Sequence, residues 1–336
     1  MATLGDEVLT YSDMQKRMDP EGKPYKVVEM LDESNPILGD IPWMRSNLPT
    51  ANRTAQRTSL PTPSLRRLNE GTTSTKSSVE NIEDGMAMID DWSTTDVKLL
   101  KLFGNATAAR MSEAKAKIQG MGQKCADLIF NGDVLDDDRE FNGLAKRLNT
   151  LGKRVLDGGG TANRGSIYLV GWGEGKTMGI YPKNTVAGLQ HEDHGKTIVH
   201  TDTDLGGAKM TAFVDQWMWD CGMARPDPRY SGRIANIDIQ DLLTISGNQD
   251  QNVLRIESNV VTNLRVIQHR MHNMHNANFV YYMGRSAFEG IDNQLVNYAD
   301  SNVWRTRDVG GKLLTTFRGV PVKICDKLTN AEAAVA

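Results

Sequence analysis

Cysteine is scarce: Cys125, Cys221 and Cys325 are the only three in 336 residues. Their odd number and wide spacing leave no CxxC pair and no Cys/His zinc spacing. They read as buried or inert thiols of a protein made in a reducing compartment, with a disulfide or a catalytic role as the alternative. Long apolar runs are missing too. The longest run of large apolar residues is about five, Phe279 to Met283, whereas a spanning helix needs about 20. No membrane partner is expected. The opening Met1-Ala-Thr-Leu-Gly-Asp-Glu7 has neither a basic region nor an apolar one, so no signal peptide is expected. Charge of one sign is also lacking: 39 Lys and Arg face 42 Asp and Glu, a net charge of −3. That balance excludes a dedicated cationic DNA-binding module and a disordered acidic tail protein. What remains is a chain with 39% hydrophobic and 24% charged residues, ordinary for a globular protein. Its length fits roughly two domains at about 150 residues each.

Catalytic and ligand motifs are equally thin. Gly171-Trp-Gly-Glu-Gly175-Lys176-Thr177 lacks the glycine a phosphate loop needs five positions before its Gly-Lys pair, where Val170 stands. His191-Glu-Asp-His194 has the wrong spacing for a zinc-protease helix. His269, His272 and His275 drift around a helix without a placed acidic or Cys ligand. Asp133 to Arg139 is an acidic loop without EF-hand spacing. No Gly-x-Ser-x-Gly, kinase or lactamase set is present. Catalytic, cofactor and metal residues are therefore assigned as none. Arg66-Arg67 and Lys146-Arg147 are the densest basic steps, and without interleaved aromatics they allow only non-specific phosphate contact.

The chain organises itself around one strong signal. Met111, Ala114, Ile118, Met121, Cys125 and Leu128 recur at steps of three and four, the stripe of an amphipathic helix over 106–130. Asn105 suits its N-cap and Asn131-Gly132 its end. Arg110, Glu113, Lys115, Lys117 and Lys124 mark the opposite face, read either as solvated or as facing another subunit. Upstream, residues 1–50 form an arm rather than a domain. Short helices are expected at Ser12–Arg17 and Lys26–Leu31, among X-Pro steps that favour extended chain. Ile37, Leu38, Ile41, Trp43, Met44 and Leu48 must pack on something, either the chain's own body or a neighbouring copy. Residues 51–92 read as a two-stranded ribbon turning at Asn69-Glu70-Gly71, with Arg53 and Arg57 on one strand face. Neither face is strongly apolar, and an isolated ribbon is marginal in water.

Further on, Gly158-Gly-Gly160 is a joint and a possible boundary. Residues 166–182 read as a strand, a glycine turn and a returning strand. Residues 184–209 read as a polar loop or flap. Strands follow at Lys209–Asp220, Tyr230–Ile237 and Asn278–Met283. Helices are expected at Asn259–Met274, capped by Ser258, and at Arg285–Tyr298. A last strand spans Thr315–Leu328. This is an α+β chain without a βαβ rhythm.

Several stretches, in order along nearly the whole chain, resemble one family. They are Met1-Ala-Thr-Leu-Gly, Met18-Asp-Pro-Glu-Gly-Lys-Pro24, Val28-Glu-Met-Leu-Asp-Glu-Ser-Asn35 and Asn47-Leu-Pro-Thr50. Leu60-Pro61, Arg67-Leu-Asn-Glu-Gly71, Asn105 with Arg110-Met-Ser-Glu113, and Phe141-Asn-Gly-Leu144 follow. Gly179-Ile-Tyr-Pro-Lys183, Gly188-Leu-Gln-His-Glu-Asp193, Tyr230 with Arg233-Ile-Ala-Asn-Ile-Asp238, and Phe317-Arg-Gly-Val-Pro-Val322 complete the set. Together they resemble the major capsid proteins of tailed double-stranded DNA bacteriophages, in the short-tailed branch.

The resemblance implies the Hong-Kong-97-like capsid fold: an N-terminal arm (1–50), an extended loop (51–92), a peripheral domain (93–154) with a spine helix, a mainly axial domain (155–310), and a C-terminal peripheral strand and tail (311–336). It implies a self-assembling icosahedral shell of hexamers and pentamers around the genome, built in the host cytoplasm and found in the virion. Implied partners are a separately encoded scaffold, a portal at one vertex, a possible decoration or cement protein, and non-specifically held DNA. Intersubunit candidates are Arg53, Arg57, Arg66, Arg67, Arg110, Glu113, Lys115, Lys117 and Trp43. The arm and ribbon would then be stabilised on neighbouring copies. The alternative is a hydrolase or transferase with a dispersed active site.

Overall fold

The computed structural model describes residues 33, 35–103, 106–200, 209–243, 260–296, 303–309 and 312–336. The helices expected at Ser12–Arg17 and Lys26–Leu31 lie outside them, as do the caps expected at Asn105 and Ser258.

The chain begins with α1 (Ile37–Asp40), β1 (Trp43–Arg45), β2 (Ala51–Ser59) and β3 (Ser78–Asp96). Helix α2 (Val97–Phe103), the long α3 (Ala106–Asn131) and α4 (Leu144–Arg147) follow. Then come β4 (Val155–Asp157), β5 (Arg164–Trp172), β6 (Met178–Tyr181), β7 (Gln190–His200), β8 (Lys209–Ala224) and β9 (Ser231–Asp238). Helix α5 (Ile239–Leu243), α6 (Val260–Arg270), β10 (Asn278–Met283), α7 (Arg285–Val296), β11 (Trp304–Val309), β12 (Lys312–Phe317) and β13 (Val320–Ile324) complete it. Among the described residues there are two compact units. One is built on Met88–Cys125 and Val186–Cys221, the other on 35–87, 126–185 and 222–336. Elements β3, α3 and β8 each contribute one end to either unit.

The larger unit holds a seven-stranded sheet ordered β11-β12-β13-β10-β5-β9-β4. Its central strands are buried on both faces, which explains their almost continuous apolar sequence. On one face Ile167, Leu169, Phe279, Tyr281 and Met283 meet Leu264 and Ile267 of α6 and Ile291 of α7. On the other, Tyr168, Trp172 and Tyr282 pack with Phe130, whose ring lies 5.6 Å from that of Tyr168. The indole N–H of Trp172 donates to the Tyr282 hydroxyl at 2.8 Å, and that hydroxyl donates to Asp40 at 2.7 Å. In the same unit β1 pairs parallel with β6, β6 antiparallel with the end of β8, and β2 antiparallel with the start of β3. The smaller unit pairs β7 antiparallel with β8 over Gln190–His200, with an irregularity at Asp193/Gly195.

One open choice closes here, and four expectations change. The apolar segment after residue 36 packs on its own chain: Ile37 and Ile41 are buried, and Asp40 accepts from Tyr282. Gly158-Gly-Gly160 is no joint. The Gly158 and Gly160 amides donate to the Ala235 and Asn236 carbonyls, and a Cβ on Gly160 would sit 2.4 Å from the Asp238 nitrogen. The strands within 166–182 are not a hairpin pair; the glycine turn sends β5 and β6 to different sheets. Residues 190–200 are a paired strand, because its polarity hides a backbone ladder with β8. The last strand is two, joined by a two-residue turn with Arg318 and Gly319 both at positive φ. Strand β13 pairs parallel with β10 in the seven-stranded sheet.

Candidate assembly surfaces

The ribbon of β2 and β3 keeps register from Ala51↔Gly85 to Arg57↔Val79. Period two sets Asn52, Thr54 and Gln56 inward and Arg53, Ala55 and Arg57 outward, as the alternation predicts. Its root is anchored by buried groups. Asp84 is buried and pairs with Arg147 at 2.7 Å, and it also accepts from the Arg225 backbone amide. Gln56 donates to the Pro226 carbonyl at 2.6 Å. Burial, with Arg147 and Arg154 nearby, pulls the Arg225 guanidinium down to about 10.

Beyond the root the chain carries no core. Residues 60–77 have no helix or strand, and Leu60, Leu65 and Leu68 are 72%, 102% and 93% exposed. Arg53 is salted to Glu83 across the ribbon. The side chains of Arg57, Arg66 and Arg67 are exposed and make no ion pair among the described residues.

Helix α3 buries its expected stripe over only part of its length. The half of its stripe closer to its N-terminus faces outward, with Met111 60% and Ile118 42% exposed. Met121, Cys125 and Leu128, in the other half, are buried. In the half closer to the N-terminus, the cations make pairs within their own unit. Arg110 makes a two-pronged pair with Asp215, at 3.1 and 2.7 Å, and a second pair with Asp193 at 2.8 Å. Its guanidinium carbon lies 4.9 Å over the Phe213 ring. Lys117 pairs with Asp91 at 2.9 Å. His191 Nε2 lies 2.9 Å from an Asp215 oxygen, and its ring stacks on Trp217 at 4.1 Å. The Arg110 guanidinium, helped by the Gly195 amide, holds the Asp193 carboxyl below the usual carboxylate range. Arg110 and Lys117, expected to reach a neighbouring subunit, thus have their charges matched within their own unit. Lys115 is exposed, and Glu113 is half-buried. Trp43 is half-buried and packs its indole over Gly179, where a Cβ would meet the ring at 2.6 Å.

Around the same helix unit lie Met88, Trp92, Leu102, Val186 and Ile198, all large apolar side chains left substantially exposed. Sequence reasoning did not mark these as exposed: Met88 and Leu102 sit among other apolar residues, and Trp92, Val186 and Ile198 in more polar stretches. The larger unit also has a groove of about 610 Å³, whose lining includes His269, His275, Phe279 and Arg318 but no carboxylate. Among the described residues no three His, Cys, Asp or Glu side chains cluster to hold a metal ion. The buried ion pair of Arg233 and Glu332, at 2.7 Å, was also missed. It joins β9 to the C-terminal tail, where Asn236 and Val335 exchange two hydrogen bonds at 2.9 Å.

No curated protein matches the chain. A solved structure of bacteriophage Epsilon15 is similar over 100% of this chain and 99% of that one, at 24% identity and a TM-score of 0.79. That likeness shows a shared fold over the whole chain. Weaker likenesses include the bacteriophage JBD30 capsid, at 9% identity and a TM-score of 0.47 over 89% of this chain and 93% of that one. An encapsulin from Synechococcus elongatus PCC 7942 scores 0.46 at 9% identity, covering 68% and 96%. The family model for major capsid protein GP7 matches residues 19–336. A coreless ribbon and an outward apolar stripe agree with it: the chain belongs to the major capsid protein GP7 family, whose members are structural proteins of the head shell rather than enzymes.

Proposed function

We propose that the head shell is a closed icosahedral array of hexamers and pentamers in which the ribbon tip of each copy lies on a neighbour. The carrying observation is the tip itself: three leucines almost wholly in water on a segment with no core of its own. Each such side chain gains about 1.5–3 kcal/mol on full burial, and a shell repeats the gain at every copy. In this reading 51–92 is the extended loop, α3 the spine of a peripheral domain, and the seven-stranded sheet unit mainly the axial domain. Arg57, Arg66, Arg67 and Lys115 are the strongest charged candidates for intersubunit pairs, since they are exposed and unpaired among the described residues. Arg53, Arg110 and Lys117 rank behind them because they already hold carboxylates.

A separately encoded scaffold and a portal at one vertex complete assembly in this reading. Decoration belongs here as well; a related JBD30 capsid is decorated with minor capsid protein trimers. Packaged DNA touches the inner surface without sequence readout, as the near-neutral charge allows.

The test replaces Leu60, Leu65 and Leu68 together by Ser and, separately, Arg66 and Arg67 by Glu. Both variants should keep the wild-type unfolding midpoint, because exposed substitutions move stability by about 0.5 kcal/mol or less. Both should lose closed particles in sedimentation and negative-stain microscopy, in the presence of scaffold. Normal particles from the leucine variant would overturn the role given to the tip.

A further inference from the structure

We propose that Cys125 and Cys221 form an oxidisable dithiol that closes to an intrachain disulfide, tying helix α3 to strand β8. The two sulfurs lie 3.4 Å apart across a sequence separation of 96 residues. Both side chains are 0% exposed. An S–S bond is about 2.05 Å, so the sulfurs must close by roughly 1.4 Å, a movement within reach of side-chain rotation. Burial selects the product. Neither sulfur can meet a thiol of another copy, and Cys325, the remaining cysteine, belongs to the other unit.

The oxidant is a two-electron acceptor of the peroxide or diazene class. With hydrogen peroxide, one sulfur attacks an oxygen and the O–O bond breaks, giving a sulfenic acid and one water. The second sulfur then attacks the sulfenic sulfur, the S–O bond breaks, and a second water leaves. Two thiol hydrogens and two electrons pass to the peroxide, and one S–S bond forms. Reaction is slow, because the hydrogen bond to Cys221 and burial push the Cys125 thiol well up and keep it protonated. A shell made in a reducing cytoplasm would meet such an oxidant after release, so the bond would follow assembly. That timing rests on the shell reading; the bond does not.

The experiment treats the full-length chain, free and as particles, with hydrogen peroxide or diamide. It is then denatured and alkylated without reduction. Three alkyl adducts per chain before treatment should fall to one afterwards, on Cys325, with two hydrogen atoms lost from the mass. A linked peptide pair should contain Cys125 and Cys221. The unfolding midpoint should rise by roughly 3–7 °C and return on reduction. C221A, given the same treatment, should gain no link and no stability. Three adducts persisting at the end of treatment, when the count no longer changes with time or oxidant, or a link through Cys325 or between chains, would overturn the proposal. Closure in the free chain but not in particles, or the reverse, bears on timing alone.

Discussion

Asp193 shows how a single side chain sets a pH limit. Its carboxyl is held low chiefly by the Arg110 hydrogen bond, with the Gly195 amide second. A depressed carboxylate contributes stability above its unfolded value of about 3.9 and loses it as pH falls through the lower folded value. The Asp193 side chain is 47% exposed, so solvent screens the pair and the contribution is under about 1 kcal/mol. D193N should therefore lower the unfolding midpoint slightly at pH 7 and leave it unchanged near pH 2. Thermal unfolding across that range checks this, and a constant difference at all pH values would contradict it. Arg110 has no such role in that window, since its own titration lies far above it.

Among the elements, the ribbon depends most on its root. Asp84 is nearly sealed from water, and its charge is matched by Arg147 and the Arg225 amide. Removing one partner of a buried pair leaves the other uncompensated and costs about 3–5 kcal/mol. D84A should thus destabilise the larger unit by that amount in denaturant unfolding. It should also speed protease cleavage within 51–59 and 78–87, since β3, to which β2 is paired, loses its fixed attachment. A variant with the Leu tip changed should do neither. Root and tip are separable: one belongs to folding and the other to association. The long helix divides the same way along its length. Its buried half, from Met121 on, is core, and in its other half Met111 and Ile118 are substantially exposed.

The whole chain sets where an arm can be cut. Removing residues 1–50 would take away buried Ile37 and Ile41, the β1 ladder to β6, and Asp40 beneath Tyr282 and Lys323. Each large buried aliphatic is worth about 2–5 kcal/mol when truncated, so that deletion should give an unstable, aggregating chain. Removing residues 1–32 leaves all of those groups in the chain. In the shell reading it should nonetheless abolish closed particles. Normal particles from the shorter truncation, measured by sedimentation, would remove the arm from the assembly account.

The local pattern alone determined the long helix, the ribbon's alternation, the central β5 and β10 strands and α6 and α7, because each carries its period or its apolar run within a few neighbours. The ordered family stretches made the capsid fold legible over nearly the whole chain. What tertiary structure decided was partnership. The helix's cations turned inward because Asp91, Asp193 and Asp215 wait on β3, β7 and β8, far away in sequence. The segment after residue 36 found its own body because Tyr282 and Lys323 lie about 240 to 280 positions downstream. Gly158 and Gly160 closed on β9 instead of opening a boundary, because only glycine fits so near that strand. Strand β7 needed β8 to be seen at all. A sequence states which face of an element is apolar; which distant charge or backbone edge meets it is settled only when the chain is folded.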